Sequence, residues 1–199
     1  MTDVVGPKEA IARLRRGLVV AVPTDTVYGL AVALEQPAAV AKLFRLKQRP
    51  TSVALPVLVD ARAAIDALGV TWSVNAARLS DQFWPGALTI VVAVDHQLAR
   101  SVGGIGSIGF RIPRDEVLLR VLGECGPLAV SSANEHGGPP CQSVEQVVAT
   151  FGADDLLSAV LDGGVRRGEV STVVEIAEDS WRILRDGSIS AQEIERALA

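Results

Sequence analysis

The 199-residue sequence predicts an α/β domain built on a mixed parallel and antiparallel sheet flanked by helices. Three observations carry that expectation. Apolar runs of strand length alternate with segments of helical periodicity along most of the chain. Glycine, proline and N-capping hydroxyls punctuate the junctions. The last strand-length runs stand too close together for a crossover helix, so they pair antiparallel.

Lys8–Arg16 carries Ala10, Ile11 and Leu14 at helical spacing, and Gly17 can end that helix. Leu18–Val22 is an unbroken apolar run, read as a buried strand. Pro37 opens a helix to about Leu46, with Val40, Leu43 and Phe44 on one face, and delivers Lys47 and Arg49 at its C-terminal end. Val53–Val59 is strand-like, and Pro56 moves it towards an edge because proline has no N–H for a ladder. Ala61–Leu68 reads as helix, and Ser73 as the N-cap of another that Pro85-Gly86 stops after Trp84. Leu88–Val94 is a strand. The loop Gly103–Ser107 leads into a strand at Ile108–Ile112. Glu116–Leu122 is helical, Pro127–Val130 is a buried strand, and Ser131–Asn134 begins a loop. Glu135–Gln142, with two glycines and two prolines, is a loop or lid. Ser143 caps a helix to about Phe151, strands follow at Ala159–Leu161, Thr172–Ile176 and Arg182–Leu184, and Ser190 caps the terminal helix.

Hydrophobic residues make up 49% of the chain and charged ones 21%, which suits a compact core; with no break in composition, residues 1–199 read as a single domain. A net charge of -4 disfavours non-specific nucleic-acid binding, which needs clustered cations, although a local basic patch stays open. Cys125 and Cys141 read as reduced thiols rather than a zinc pair or a disulfide. The N-terminus shows no secretory signal, and no apolar run reaches the roughly 20 residues of a bilayer span. The expectation is a cytoplasmic protein with no membrane partner.

Polar groups collect where strands end: Thr24, Asp25, Thr26 and Tyr28; Ser107 and Arg111; Ser131, Ser132 and Asn134; Ser171 and Thr172; Arg185. Open α/β sheets bind ligands in the crevice outside strand ends, so these segments can converge there. Each also has a plain reading: Thr24-Asp25-Thr26 as a turn satisfying its own backbone, and Lys47-x-Arg49 as a complement to the helix dipole. Arg111 is different. It lies in an apolar strand, and a buried guanidinium needs a carboxylate, from the protein or from a ligand. No P-loop, Rossmann fingerprint or Gly-x-Ser-x-Gly elbow occurs. His96 and His136 are isolated, which disfavours a catalytic triad or a metal site built from protein ligands.

The segments Pro23-Thr24-Asp25-Thr26-Val27-Tyr28-Gly29-Leu30, Lys47-Gln48-Arg49-Pro50, Phe83-Trp84-Pro85-Gly86-Ala87-Leu88-Thr89, Ser131-Ser132-Ala133-Asn134, Ser171-Thr172-Val173-Val174 and Ile183-Leu184-Arg185-Asp186-Gly187 stand in the order found in the YrdC-like threonylcarbamoyl-AMP synthases, which the chain resembles in their short, single-domain form. The resemblance implies a twisted mixed sheet. It also implies condensation of L-threonine, bicarbonate or CO2, and ATP into threonylcarbamoyl-AMP with release of pyrophosphate, serving tRNA modification. On this resemblance Thr26, Tyr28, Arg111, Ser131 and Ser171 hold L-threonine. Lys47 and Arg49 are the catalytic cations facing the ATP phosphates. Ser107, Ala133, Asn134 and Arg185 complete the ATP site, and Mg2+ arrives with ATP rather than in a protein metal site. A downstream threonylcarbamoyl transferase complex and tRNA or other RNA are the implied partners. The chain departs from the family pattern where Val53-Ala54-Leu55 and Leu58 stand at an Asn-Pro-Leu segment and a later His, and where Val170 replaces a Glu. The competing readings are an RNA-binding module without catalysis and a carbamoyl-transfer domain of hydrogenase-maturation type.

Overall fold

The computed structural model describes residues 2–48, 54–135, 137–177 and 180–199. Among them, one sheet contains the strands β1 (Asp3–Val5), β2 (Val19–Pro23), β3 (Tyr28–Ala33), β4 (Val57–Leu58), β5 (Leu88–Ala93), β6 (Ser107–Arg111), β7 (Leu128–Ser132), β8 (Leu157–Leu161), β9 (Thr172–Ile176) and β10 (Trp181–Arg185). Their spatial order is β1-β8-β2-β3-β7-β4-β6-β5-β9-β10. The pairs β1·β8, β2·β8, β4·β6 and β5·β9 are parallel; β2·β3, β3·β7, β4·β7, β5·β6 and β9·β10 are antiparallel. The mixed sheet and the antiparallel final pair match the expectation from sequence.

The helices are α1 (Pro7–Arg15), α2 (Pro37–Leu46), α3 (Arg62–Asp66), α4 (Val74–Phe83), α5 (His96–Ser101), α6 (Glu116–Cys125), α7 (Val144–Phe151) and α8 (Ala191–Leu198). Their starts follow from local chemistry. Proline opens α1 and α2, where its missing N–H costs nothing. Side chains of Ser73, Asp95, Asp115, Ser143 and Ser190 accept backbone N–H groups in the first turns of α4, α5, α6, α7 and α8, satisfying donors that a helix start otherwise leaves unpaired.

The two sheet faces are covered unequally, and this creates the site. One face carries Val19, Ala21, Leu30, Val57, Leu88, Ile90, Ile108, Phe110 and Val174 against apolar residues of α2, α3, α4, α7 and α8. On the other, α1 and α6 pack on Val20, Val22, Ala31, Leu128, Val130, Ala159 and Leu161, reaching as far as Leu58 of β4. Beyond β4 that second face turns from core into cavity wall.

Several expectations needed revision. Tyr28–Ala33 is a strand, buried throughout; its unbroken apolar character gives none of the period-2 alternation that marks a half-exposed strand. Ser131 and Ser132 lie within β7 rather than in a loop. The strand containing Val57 and Leu58 is central, between β7 and β6, because only those two residues enter the ladder. Pro56 stands just outside it and needs only its carbonyl, which accepts from Val130 N at 2.9 Å. Val53 lies outside the described residues. The short β1 and α5 carry too few residues for periodicity to reveal them.

Candidate active site

The cavity of about 540 Å³ spreads across the sheet face rather than only beyond strand ends. The pairings Gly29↔Ser132, Leu58↔Arg111, Val91↔Gly109, Thr89↔Val173 and Val173↔Arg185 put every member on one face, and all of them line it. One face of seven adjoining strands, β3 to β10 in spatial order, thus turns inward, with the polar or small Gly29, Ser132, Arg111, Gly109, Thr89 and Arg185 among its residues. In β10 the register shifts between Ile183 and Arg185, and the irregularity lets both Leu184 and Arg185 reach the cavity.

The β2–β3 turn supplies one wall, with its hydroxyls directed by their own bonds. Thr24 Oγ1 donates to Val27 O at 2.7 Å and accepts from the backbone N–H of Thr26 at 3.1 Å and of Val27 at 3.2 Å. Thr24 Oγ1 and Thr26 Oγ1 are also in hydrogen-bond contact at 2.9 Å, and either hydroxyl can donate. Thr26 Oγ1 accepts from Arg111 Nη1 at 3.3 Å. The turn satisfies its own backbone and presents an acceptor at the same time.

Arg111 is 5% exposed. Its Nε donates to Gly86 O at 2.9 Å and its Nη2 to Asp25 Oδ1 at 2.6 Å. The carboxylate that a buried guanidinium requires is thus Asp25, in the neighbouring turn. Burial lowers the Arg111 pKa, Asp25 opposes the shift, and the positive charge of Arg185 adds to the lowering. The two guanidiniums are close enough to feel one another. Of the five N–H donors of Arg111, three have partners among the described residues.

Across the cavity, Arg185 donates from Nε and Nη2 to Ser171 O at 3.1 and 2.8 Å and from Nη2 to Ser171 Oγ at 2.9 Å. Ser171 Oγ also lies 3.0 Å from Thr89 Oγ1. Gly187 allows the backbone to close here: a Cβ at that position would lie 2.5 Å from the Ser171 carbonyl carbon. The apolar walls come from Pro56, Leu58, Val91, Val130 and Val173, with the exposed Ile105 and Leu184 at the rim.

Of the residues singled out from sequence, Thr26, Tyr28, Ser107, Arg111, Ser131, Ser171 and Arg185 line this cavity; Lys47, Ala133 and Asn134 do not. Arg49 lies outside the described residues. Lys47, 6% exposed, donates to Ser132 O and Asn134 Oδ1 at 2.9 Å each and to Asn134 O. Asn134 Nδ2 in turn donates to Glu135 O at 2.7 Å and Gly138 O at 2.9 Å. The lysine therefore fixes the end of β7 and, through Asn134, the start of the Gly/Pro-rich loop. Tyr28 lies mainly in the core of the opposite face, with its hydroxyl donating to Gly164 O at 3.0 Å and accepting from Gly163 N at 3.1 Å. Burial raises its phenol pKa above the ordinary value.

A family described as "Telomere recombination", Sua5/YciO/YrdC, matches residues 12–187. The chain belongs to the Sua5/YciO/YrdC family. It is 37% identical to a putative threonylcarbamoyl-AMP synthase of Mycobacterium leprae over 195 residues, spanning 97% of this chain and 88% of that protein. It is 34% identical to the Bacillus subtilis threonylcarbamoyl-AMP synthase over 194 residues, 96% of this chain but 56% of that longer protein. Among solved structures, Pyrococcus abyssi Sua5 complexed with L-threonine superposes with a TM-score of 0.88 at 32% identity, covering 96% of this chain and 57% of that one. No helix among the described residues is long and apolar enough to cross a membrane.

Within this Sua5/YciO/YrdC chain, two site residues carried no assigned role in the sequence reading. Asp25 had a signal: Arg111 in an apolar strand called for a carboxylate, and Asp25 stood beside Thr26. Thr89 stands at the end of the Phe83–Thr89 segment that carries the resemblance, but no role attaches to it there, since its contact depends on a partner 82 positions away.

Proposed function

We propose that the protein is a threonylcarbamoyl-AMP synthase, condensing L-threonine, bicarbonate or CO2, and ATP into threonylcarbamoyl-AMP and pyrophosphate. Family kinship supplies the reaction class. One observation carries the reading to this site: two mutually repelling guanidiniums, Arg111 and Arg185, line one cavity together with Thr26, which accepts from Arg111. Such a pair is stabilised by an anionic ligand, and an amino acid offers both a carboxylate for the cations and an N–H for Thr26.

In this reading Arg111 takes the threonine carboxylate, Thr26 orients the amine, and Ser131 and Ser171 complete that end. Tyr28 acts indirectly, by pinning residues 163 and 164 beneath the turn. The amine attacks CO2 and loses a proton to give a carbamate. A carbamate oxygen then attacks the α-phosphorus of ATP, and the bond to the pyrophosphate leaving group breaks. Negative charge builds on the phosphates, and Lys47, Arg49 and Arg185 lower its energy electrostatically. Ser107, the Ala133 backbone and Asn134 hold the nucleotide, with Lys47 acting through the position of Asn134 as well as by its charge. Magnesium enters with ATP, coordinated chiefly by phosphate oxygens. No covalent enzyme intermediate is needed, since positioning and charge neutralisation suffice.

Residues 1–199 act as a single catalytic domain in the cytoplasm, where ATP and tRNA are found, and the adenylate passes to a threonylcarbamoyl transferase complex acting on tRNA. The test is pyrophosphate release from ATP, magnesium and bicarbonate with each amino acid in turn. Release that depends on threonine supports the synthase. Absence of turnover together with salt-sensitive RNA binding favours the RNA-binding module instead.

A further inference from the structure

We propose that Thr89 is a positioning residue for L-threonine, acting through the Ser171 hydroxyl; the inference rests on the threonine reading of the site. Ser171 Oγ accepts from Arg185 Nη2 at 2.9 Å, and a guanidinium can only donate. Ser171 therefore keeps its O–H and one lone pair. Thr89 Oγ1, 3.0 Å away, has the Ser171 hydroxyl as its hydrogen-bond partner among the described residues. The two side chains own two hydroxyl hydrogens, and the contact between them uses one. The other O–H is left for the cavity, which both residues line.

Both residues are buried, at 4% exposure each, so the O–H directed into the cavity is available to a ligand acceptor that takes the place of solvent there. The threonine carboxylate, its hydroxyl and the carbamate oxygen formed during reaction are such acceptors. When Thr89 donates to Ser171, the cavity hydrogen belongs to Ser171; when Ser171 donates, it belongs to Thr89. Either way the pair presents one donor to the cavity that Thr26 and Arg111 also line.

The neighbouring strand holds Thr89 in this orientation. A Cβ on Gly109 would lie 2.8 Å from Thr89 Cγ2, so the glycine leaves room for the methyl against β6 while the hydroxyl meets Ser171. Without the Thr89 oxygen, the Ser171 O–H has no side-chain acceptor among the described residues, and its oxygen keeps only the donation from Arg185.

The experiment measures KM and kcat for L-threonine and for ATP, L-threonine binding by calorimetry, and Tm, in the wild type, Thr89→Val and Thr89→Ser. Valine keeps the shape and removes the oxygen; serine keeps the oxygen. The threonine KM and Kd should rise about five- to tenfold in Thr89→Val, the loss expected for one buried hydrogen bond. The ATP KM should stay within about twofold, and Thr89→Ser should recover threonine affinity to within about twofold. Thr89→Ala reports the same split if the valine variant does not fold. An unchanged threonine KM in Thr89→Val overturns the proposal, as does a parallel loss for both substrates that serine fails to restore. Wild-type protein that neither binds nor turns over L-threonine overturns the functional reading itself, and this inference with it.

Discussion

Asp25→Ala should destabilise the protein by about 3 kcal/mol, although Asp25 makes a single short contact from its largely buried turn. Arg111 is 5% exposed and Asp25 Oδ1 is its one carboxylate partner among the described residues, at 2.6 Å. Removing one member of a buried ion pair costs roughly 3–5 kcal/mol, mostly because the other charge is left desolvated and unpaired. The lower end applies because Gly86 O and Thr26 Oγ1 still accept from Arg111. In a chain of this length, about 3 kcal/mol corresponds to a fall in Tm of about 6–12 °C. Urea denaturation followed by circular dichroism reads the free energy, and an unchanged m-value shows that the unfolded ensemble is the same. The double variant Asp25→Ala/Arg111→Met should be more stable than Asp25→Ala alone, since no unpaired charge is left. A loss below about 0.5 kcal/mol for Asp25→Ala, the size of an ordinary surface substitution, would refute the reasoning, as would a double variant carrying the sum of two single losses.

Three further outcomes follow from the same geometry. Tyr28 is the single tyrosine of the chain, so absorbance near the tyrosinate band titrates it alone; it should ionise above 10.0, its ordinary value, in the folded protein because burial disfavours the phenolate. Since the folded pKa lies above the unfolded one, the native state holds the proton longer, and this contribution to stability is fully present below pH 10.0 and lost as pH rises through the folded value. Titration at or below the ordinary value would contradict the buried phenol. Lys47→Ala should slow pyrophosphate release and also increase hydrogen exchange at residues 132–138, since three hydrogen bonds from Nζ to Ser132 and Asn134 disappear; loss of activity with unchanged exchange would mean that the lysine acts by charge alone. Gly187→Ala forces a Cβ to within 2.5 Å of the Ser171 carbonyl carbon and should cost about 1–3 kcal/mol while weakening threonine binding, which thermal melts and calorimetry would measure together.

Much of this molecule was legible before any coordinates. Helices with proline starts or hydroxyl caps were found because capping chemistry is local: Pro37–Leu46 and the helices following Ser73, Ser143 and Ser190 fall where their signals put them. Strand β3 was missed because a strand buried on both faces shows no alternation, and the polar turn before it drew attention to its chemistry rather than its pairing. The central rank of β4 is hidden in the sequence because Pro56 suggests an edge, whereas the strand begins one residue after it.

The site divides in the same manner. Arg111 declares its need for a carboxylate through the cost of burying charge, but the sequence leaves protein and ligand carboxylates equally open, and only the fold brings Asp25 to it. The engagement of Lys47 with Asn134 could not be read from a helix-end Lys-x-Arg pattern, because it depends on how the end of β7 approaches the end of α2. The cavity spans a sheet face, since register, invisible in a single sequence, decides that Gly109, Thr89, Val173 and Arg185 point the same way.

The most direct test of the central claim supplies carbon-labelled bicarbonate with ATP, magnesium and L-threonine to the purified protein and examines the adenylate product by mass spectrometry. The account predicts a threonylcarbamoyl adenylate that carries the carbon label, forms only with threonine, and appears in step with pyrophosphate. An unlabelled threonyl adenylate, or pyrophosphate release indifferent to threonine and bicarbonate, would contradict it.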